Sequence, residues 1–472
     1  RRLPDYRSRL ALAAWVLGML ICMPLAAHEP ARNTLVPAGQ HPYRPSAAPD
    51  RIILTVTEDP GTSQSVNWRT AAGVEVSEAQ IARAVPGAGL HLAARTVAGA
   101  HRALLSENGL ALHHTVRFED LEPGTLYAYR VRGLGTWSEW FQFQTARAGD
   151  DEFSFLYFGD AQNSVKSHFS RVIREARLEL PRPAVMLHAG DLINLRAGIH
   201  DDEWGEWFDA GAFLYAMTPN IIVAGNHEHI TLTGADGEET RVLSEHFRAQ
   251  FEVPANGIAE LPDTVYATRY QNVLFVVLDS TAALEDEALA IGQAAWLDAL
   301  LAADQSRWVI VAHHHPMYSV SLGRDNPPLR DHWKPVYDRH RVDIVLQGHD
   351  HTYGRGSNLP EGAMQVDGQA GTVYVVSVAG PKMYRVAEER NVHQRVGEDV
   401  QLFQILHVGH DRLQFEARLV TGEIYDAFDL VKQPGRANQL VERFDASRPE
   451  AVCGNPLPPR ETRCWEGTEL VQ

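Results

Sequence analysis

Between residues 152 and 432 short apolar runs of strand length recur, several of them ending abruptly in polar residues, without any internal sequence repeat. The runs are Phe153–Phe158, Ala184–His188, Ile221–Ala224, Val273–Leu278, Trp308–Ala312, Val342–Leu346 and Val373–Val378. Helical periodicity fills several of the gaps, at Ser167–Leu180, Asp202–Ala216 and Glu285–Ala303. Strand-length runs alternating with helices predict an α/β domain, here with enough strands for two sheets. Trp204 and Trp207 lie at helical spacing and are expected in its core rather than at a ligand.

Five polar clusters stand just past the ends of these runs. They are Gly159-Asp160-Ala161-Gln162-Asn163, Gly190-Asp191-Leu192-Ile193-Asn194, Gly225-Asn226-His227-Glu228, Val311-Ala312-His313-His314-His315-Pro316 and Gly348-His349-Asp350-His351. Open α/β sheets bind ligands beyond the carboxyl ends of their strands, so the five clusters are expected to converge. Taken singly, each has a plain reading as a turn or a solvated loop. Five in order, each after a predicted strand, point to one site. Carboxylates and imidazoles without thiolates suit a pair of zinc, iron or manganese ions. A carboxylate can bridge two cations, and Asp191 is the candidate. In the last cluster, alternate residues His349 and His351 point the same way.

Upstream, residues 51–147 show short alternating runs: Ile52–Thr57, Gln64–Trp68, Leu112–Phe118, Leu126–Val131 and Trp140–Gln144. These predict an all-β sandwich with Trp68 buried. The turn Leu121–Thr125 leading into Tyr127 has the form of a tyrosine corner, and the stretch resembles a fibronectin type III domain. Nothing in it suggests catalysis. Residues 28–50, rich in Pro and Ala, read as a linker. Before them, Arg1, Arg2, Arg7 and Arg9 precede the apolar run Leu10–Ala27, the pattern of a signal peptide over residues 1–27. The alternative is a single N-terminal anchor; no other stretch is long enough to span a bilayer. The expected location is therefore exported, periplasmic or secreted, with no stable membrane span after signal removal. In that setting Cys453 and Cys464 are expected to pair across a loop in a polar C-terminal tail, residues 433–472. A net charge of −17 argues against a nucleic acid partner, while metal ions could still supply positive charge to a small phosphorylated substrate.

With its ordered clusters, the stretch 153–380 resembles the calcineurin-like metallophosphoesterase superfamily, and with the β-domain ahead of it the layout resembles the purple acid phosphatases. The resemblance implies an α+β and α/β chain: an N-terminal all-β sandwich, then a two-sheet αββα sandwich over 152–432. It implies two metal ions, divalent or of mixed valence (Fe, Zn or Mn). Asp160, Asp191 and His351 would hold one; Asp191 would bridge to the second, completed by Asn226, His314 and His349. His314, two residues before Pro316, matches the family's ligand position better than His313. His227 would contact the phosphate or act as general acid. Arg324, in Gly323-Arg324-Asp325-Asn326, lies where the family places substrate-contacting groups; His229 and His313 have no firm role. The implied reaction is hydrolysis of a phosphate monoester by a metal-held hydroxide. The rivals are a phosphodiesterase or nucleotidase on the same site, and an exported binding protein whose metals are structural. The stretches Ile230–Glu239 and Ser319–Arg330 are expected to shape the pocket.

Two positions depart from the family. Asn194 stands where purple acid phosphatases carry a tyrosine ligand, and Gln162 stands where many other members carry a histidine. Either could offer only a neutral carbonyl oxygen, so the first metal site is expected to be weaker and harder in ligand preference. The purple colour comes from charge transfer between tyrosinate and ferric iron. Iron-loaded protein is therefore expected to lack that visible band, Tyr353 being expected to pack rather than ligate. An absorption spectrum beside a metal count checks this, and a strong band at full iron occupancy would contradict it.

Overall fold

The structure, a computed structural model, describes residues 36–37, 39–194, 199–234, 237, 239–358, 365–366, 368–388, 392–453 and 463–465. The expected signal segment 1–27 lies outside the described residues.

The apolar runs form two sheets that face each other. In the larger, Phe153–Phe158, Met186–His188 and Asn220–Ile222 run parallel. In the smaller, of seven strands, Val273–Val277, Trp308–Ala312, Ile344–Gln347 and Thr372–Val376 run parallel. Side chains from both fill one core, in which Phe155 meets Phe275 edge to face at 5.3 Å. Helices cover the outer faces. Phe169 and Val172 of Val165–Glu179, with Trp204 and Trp207 of His200–Gly211, pack on the larger sheet. Leu297 of Glu287–Ala303 and Tyr337 of Lys334–His340 pack on the smaller. This is the expected αββα sandwich, and the strand directions put every cluster at one end. No helix among the described residues is long and apolar enough to cross a membrane.

Two expected helices are each split. Asp202–Ala216 breaks at Ala212, whose φ of 44° lies outside the right-handed helical region, into His200–Gly211 and Phe213–Met217. Glu285–Ala303 breaks at Asp286, whose carboxylate accepts the Ala288 N–H at 2.8 Å and starts a new helix. Of the stretch Ile230–Glu239, residues 230–233 and Glu239 belong to the antiparallel strands His229–Thr233 and Glu239–Leu243. The expected tail 433–472 needs correction, because Asn438–Glu442 is a strand paired with Ile424–Val431 in the larger sheet. Its apolar content is too slight to show periodicity, and pairing to an existing edge supplies what the side chains do not. Further on, Arg463–Trp465 pairs with Met383–Tyr384. Cys453 is disulfide-bonded, while the side chain of Cys464 lies outside the described residues.

The N-terminal β-domain is not a separate body. Its strand Asp50–Thr55 pairs antiparallel with Gln64–Ala71 and parallel with Asn220–Ile222, so a sheet of 13 strands runs through both domains. Trp68 is buried, and the Tyr127 hydroxyl accepts the Glu122 N–H at 2.9 Å, as a tyrosine corner should. The expected linker is anchored too: Tyr43 is buried, and its hydroxyl donates to Asp209 at 3.3 Å.

Asp201 locks the junction. Arg51 reaches one of its oxygens at 2.7 Å, Arg69 the other at 3.1 Å, and Asn108 donates to the latter at 3.0 Å. Burial opposes its ionisation, but the two guanidinium groups more than offset this and hold Asp201 below the usual carboxylate range. Asp201→Ala would leave buried Arg51 without its carboxylate and Arg69 with Asp50 alone, and is expected to cost about 3–5 kcal/mol, read by denaturant unfolding. A depressed folded pKa contributes stability that is full above the unfolded value and lost as pH falls. Wild-type stability should therefore fall more steeply than the variant's below about pH 4.

Candidate metal centre

Each cluster turns sharply as it leaves its strand. Gly190, at φ 89°, has no room for a side chain: a Cβ there would lie 2.7 Å from His314 Nδ1 and 2.8 Å from Gly225. At Gly348 a Cβ would lie 2.2 Å from Asp160 Oδ1. Asp191, His349 and His351 themselves hold left-handed backbone, at φ 50°, 74° and 50°. Such conformations are costly for residues with a Cβ, and they persist where surrounding contacts fix them.

Those contacts are specific. The buried Glu228 carboxylate accepts three main-chain N–H groups, from Gly225 at 2.7 Å, Asp191 at 2.9 Å and Leu192 at 2.8 Å. It thereby ties the second and third clusters together. Asp191 Oδ1 accepts the His227 N–H at 2.8 Å, and Asp160 Oδ1 accepts the His349 N–H at 2.6 Å. The His314 Nδ1–H donates to the Ala189 carbonyl at 2.9 Å, which turns Nε2 toward the centre.

Two donor groups result, sharing Asp191. Asp160, Asp191 and His351 form one; Asp191, His314 and His349 form the other, the donor atoms within 4.8 Å of one another in each. Asn226 Oδ1 lies 3.2 Å from His314 Nε2 and so belongs to the second group. The Gln162 amide belongs to the first, with Nε2 at 3.0 Å from Asp191 Oδ2 and 2.9 Å from His351 Nε2. A half-turn of that amide would present its oxygen at the same point.

The residues fit a pair of cations. Asp160 and Asp191 are both buried, and Asp160 Oδ2 has no hydrogen-bond partner among the described residues. Burial raises the Asp160 pKa to about 7. Burial also opposes ionisation of Asp191, but His314 and His227 offset it and hold Asp191 well below the usual range. His314 answers in turn: burial disfavours its charge, yet Asp191 and Asp160 raise it to about 9. Two buried carboxylates so close together need positive charge, and the protein's own groups supply it only in part.

The remaining candidates separate clearly. His227 donates from Nδ1 to the Asn194 carbonyl at 2.9 Å, leaving Nε2 at 3.9 Å from Asp191 on the partly exposed side. Asn194 enters this geometry through its main chain. Arg324 donates to the His349 carbonyl at 2.8 Å and lies 4.6 Å from the ring centre of Tyr384, at the rim of the centre. His313 turns away, against Trp333 and Tyr337. His229 supports from behind, bonding the Gly225 carbonyl at 2.8 Å and facing Asp279 at 3.4 Å. Tyr353 donates to Asp426 at 2.7 Å and is buried away from the donor groups. Sequence reasoning gave no role to Glu228, Lys382 or Tyr384. Glu228 was in plain view within its cluster. Lys382 and Tyr384 follow the run Val373–Val378 just as the five clusters follow theirs, but no Asp, Asn or His stands with them to mark a sixth cluster.

Comparisons with known proteins bear on the family and the fold. Residues 49–145 match the family model for the purple acid phosphatase N-terminal domain, and residues 153–353 match that for calcineurin-like phosphoesterases. An uncharacterized protein of Mycobacterium tuberculosis is 26% identical over 352 residues, 67% of this chain and 63% of that protein. The Fe(3+)-Zn(2+) purple acid phosphatase 12 of Arabidopsis thaliana is 26% identical over 265 residues, 52% of this chain and 53% of that protein. The matched stretches thus span between about half and two-thirds of these relatives. The solved purple acid phosphatase PPD1 from yellow lupin (Lupinus luteus) seeds shares the fold, with a TM-score of 0.65 at 18% identity over 81% of this chain and 74% of that one.

Substituting the shared carboxylate should differ from substituting a ligand of one group. Asp191→Asn is expected to drop metal content far below one ion per chain, and Asn226→Ala to leave about one of about two. Elemental analysis of the purified variants checks both.

Proposed function

Because the chain belongs to the calcineurin-like metallophosphoesterases, with a purple acid phosphatase-type N-terminal domain ahead of its catalytic domain, we propose that it is an exported, dinuclear metal-dependent phosphoesterase acting on phosphate monoesters. The observation that carries this reading is the sharing of buried Asp191 between two donor groups. Asp160, Asp191 and His351, with an amide from Gln162 or Asn194, would hold one ion. Asp191, Asn226, His314 and His349 would hold the other. Bound ions in such a pair polarise a phosphoryl oxygen and activate water. The disulfide at Cys453 supports export, as does the N-terminal pattern.

The chain's own residues then bind and deliver the proton. Arg324, fixed by the His349 carbonyl, presents a guanidinium of the shape that phosphate oxygens accept. The Asn194 carbonyl holds His227 Nδ1–H, so the ring's orientation is set and Nε2 is the atom that faces substrate. Protonated on both nitrogens, a form that burial opposes and Asp191 favours, His227 donates the Nε2 proton to the leaving oxygen and is left neutral with Nδ1–H on the Asn194 carbonyl.

Chelation is expected to abolish turnover of aryl phosphate monoesters, and added manganese, zinc or iron to restore it. Metal-loaded protein that turned over neither mono- nor diesters would favour structural metals instead. A diester preferred over a monoester would favour the phosphodiesterase. His227→Gln should lower kcat about 10²- to 10⁴-fold for alkyl phosphates, whose leaving oxygen needs the proton, and much less for aryl phosphates. Equal losses on both would make His227 a phosphate contact only. Arg324→Ala should raise KM with metal content intact, and wild-type kinetics would return it to the surface.

A further inference from the structure

The chain contains four lysines against 39 arginines. Three of the four are spent on ion pairs: Lys166 with Asp209 at 2.6 Å, Lys334 with Asp338 at 2.5 Å, and Lys432 with Asp343 at 2.5 Å. The fourth, Lys382, has no ion pair or hydrogen bond among the described residues, although the chain carries a net charge of −17. It is half-buried, and its ammonium lies 5.4 Å from the ring centre of Tyr384. That same ring is 4.6 Å from the Arg324 guanidinium and 4.8 Å from the ring of His351. A partly desolvated ammonium with no anion is costly, and the face of one aromatic ring recovers only part of that cost.

The main chain fixes this position. Ala379 and Gly380 both donate to the Asp160 carbonyl, at 2.9 and 2.6 Å, and Tyr384 donates to the His351 carbonyl at 3.1 Å. Gly380 packs so tightly on the Ala161–Gln162 turn that a Cβ would lie 2.4 Å from the Gln162 carbonyl oxygen. The segment bearing Lys382 is therefore pinned to two ligand-bearing turns. Its charge is felt at Asp160, where burial raises the pKa and Lys382 is among the groups that lower it, and at His227 and His351.

We propose that Lys382 is a substrate-binding residue that works with Arg324 to select phosphate monoesters over diesters, the two cations flanking the phosphoryl group beside Tyr384. This rests on the phosphoesterase reading above. A monoester carries close to two negative charges near neutral pH and a diester one, so an added cation favours the monoester. Lysine suits the role: its ammonium is a compact point charge on a flexible stem and can follow the phosphate, whereas Arg324 is held by its bond to the His349 carbonyl.

The test uses the manganese-loaded full chain as wild type, Lys382→Ala and Lys382→Arg, with metal content measured on each. Inorganic phosphate binding is measured by calorimetry, and kcat/KM with an aryl phosphate monoester and a bis-aryl diester. Lys382→Ala should weaken phosphate binding and lower monoester kcat/KM by about ten- to a hundredfold, as for loss of a hydrogen bond between charged groups. Metal content should be unchanged, the diester should fall by less than about threefold, and Lys382→Arg should recover part of the loss, since it restores the charge but not the compact ammonium. Phosphate binding by Lys382→Ala equal to wild type, or equal losses on both esters, would overturn the proposal, as would a wild type that binds no phosphate. Lys382-dependent phosphate binding without turnover of either ester would sink the phosphoesterase reading while leaving Lys382 as the anion's cation. Turnover that ignores Lys382 would do the reverse.

Discussion

The centre of this molecule is arranged around two carboxylates that burial alone would not tolerate together. Asp160 and Asp191 lie at the ends of neighbouring parallel strands, with His314 as the nearest strong compensating charge. Buried anions of this kind are stable only with cations beside them, and the fold spends considerable strain to keep them in place. Three of the candidate donors sit in left-handed backbone, and two glycines leave no space for a Cβ. Glu228 collects three N–H groups that the turns leave unpaired. Without that carboxylate the Asp191 turn would have to satisfy its main chain elsewhere. Metal binding and backbone strain are thus two sides of one balance: the strained turns make the donor cluster, and an ion pair bound there would repay their strain.

The N-terminal domain contributes to the same balance. Its first strand extends the larger sheet by pairing with Asn220–Ile222, whose end carries Asn226 and His227. Arg51, one residue into that strand, grips Asp201 on the helix that follows the Asp191–Asn194 turn. The β-domain therefore holds two of the ligand turns from behind, with no residue of its own at the centre. Its role is to make the third strand of the sandwich a central strand rather than an edge.

Periodicity placed the strands well because buried strands in such a sheet are nearly all apolar, and Phe153–Phe158 and Trp308–Ala312 have the bounds expected. The candidate donor residues stood out for a related reason. Asp, Asn and His directly after an apolar strand have few structural reasons to be there, and five such ends in one chain share a cause. What escaped notice was held by main-chain bonds or by edges. Asn438–Glu442 is a strand because an edge awaited it, not because its side chains alternate. The helix break at Ala212 has no breaker of its own, since alanine is the best helix former, and tertiary packing overrides it. Asn194 was singled out for its side chain, and its carbonyl makes a contact of its own, with His227. No reading of residue types can see a carbonyl.

The segment beside the candidate donors follows a different logic from the donors themselves. The calcineurin-like match ends at residue 353, and Lys382 and Tyr384 lie past it. Their segment is tied on three sides. Ala379 and Gly380 bond to Asp160, while Leu322 donates to the Arg385 carbonyl and Ala387 to that of Val320, joining the loop that carries Arg324. Arg463–Trp465 then pairs along the outside of Met383–Tyr384. Glu398 accepts from Val386 with one oxygen and from the disulfide-bonded Cys453 with the other, so the C-terminal segment and this one share a carboxylate. Ligand turns obey a chemistry common to many chains and are built from strand ends, which vary little in space. A wall of loops stapled to those turns can change its charge without moving a ligand. In this chain the staple is a C-terminal strand and the charge is one lysine, which is where differences in substrate choice between chains with the same metal centre would be expected to arise.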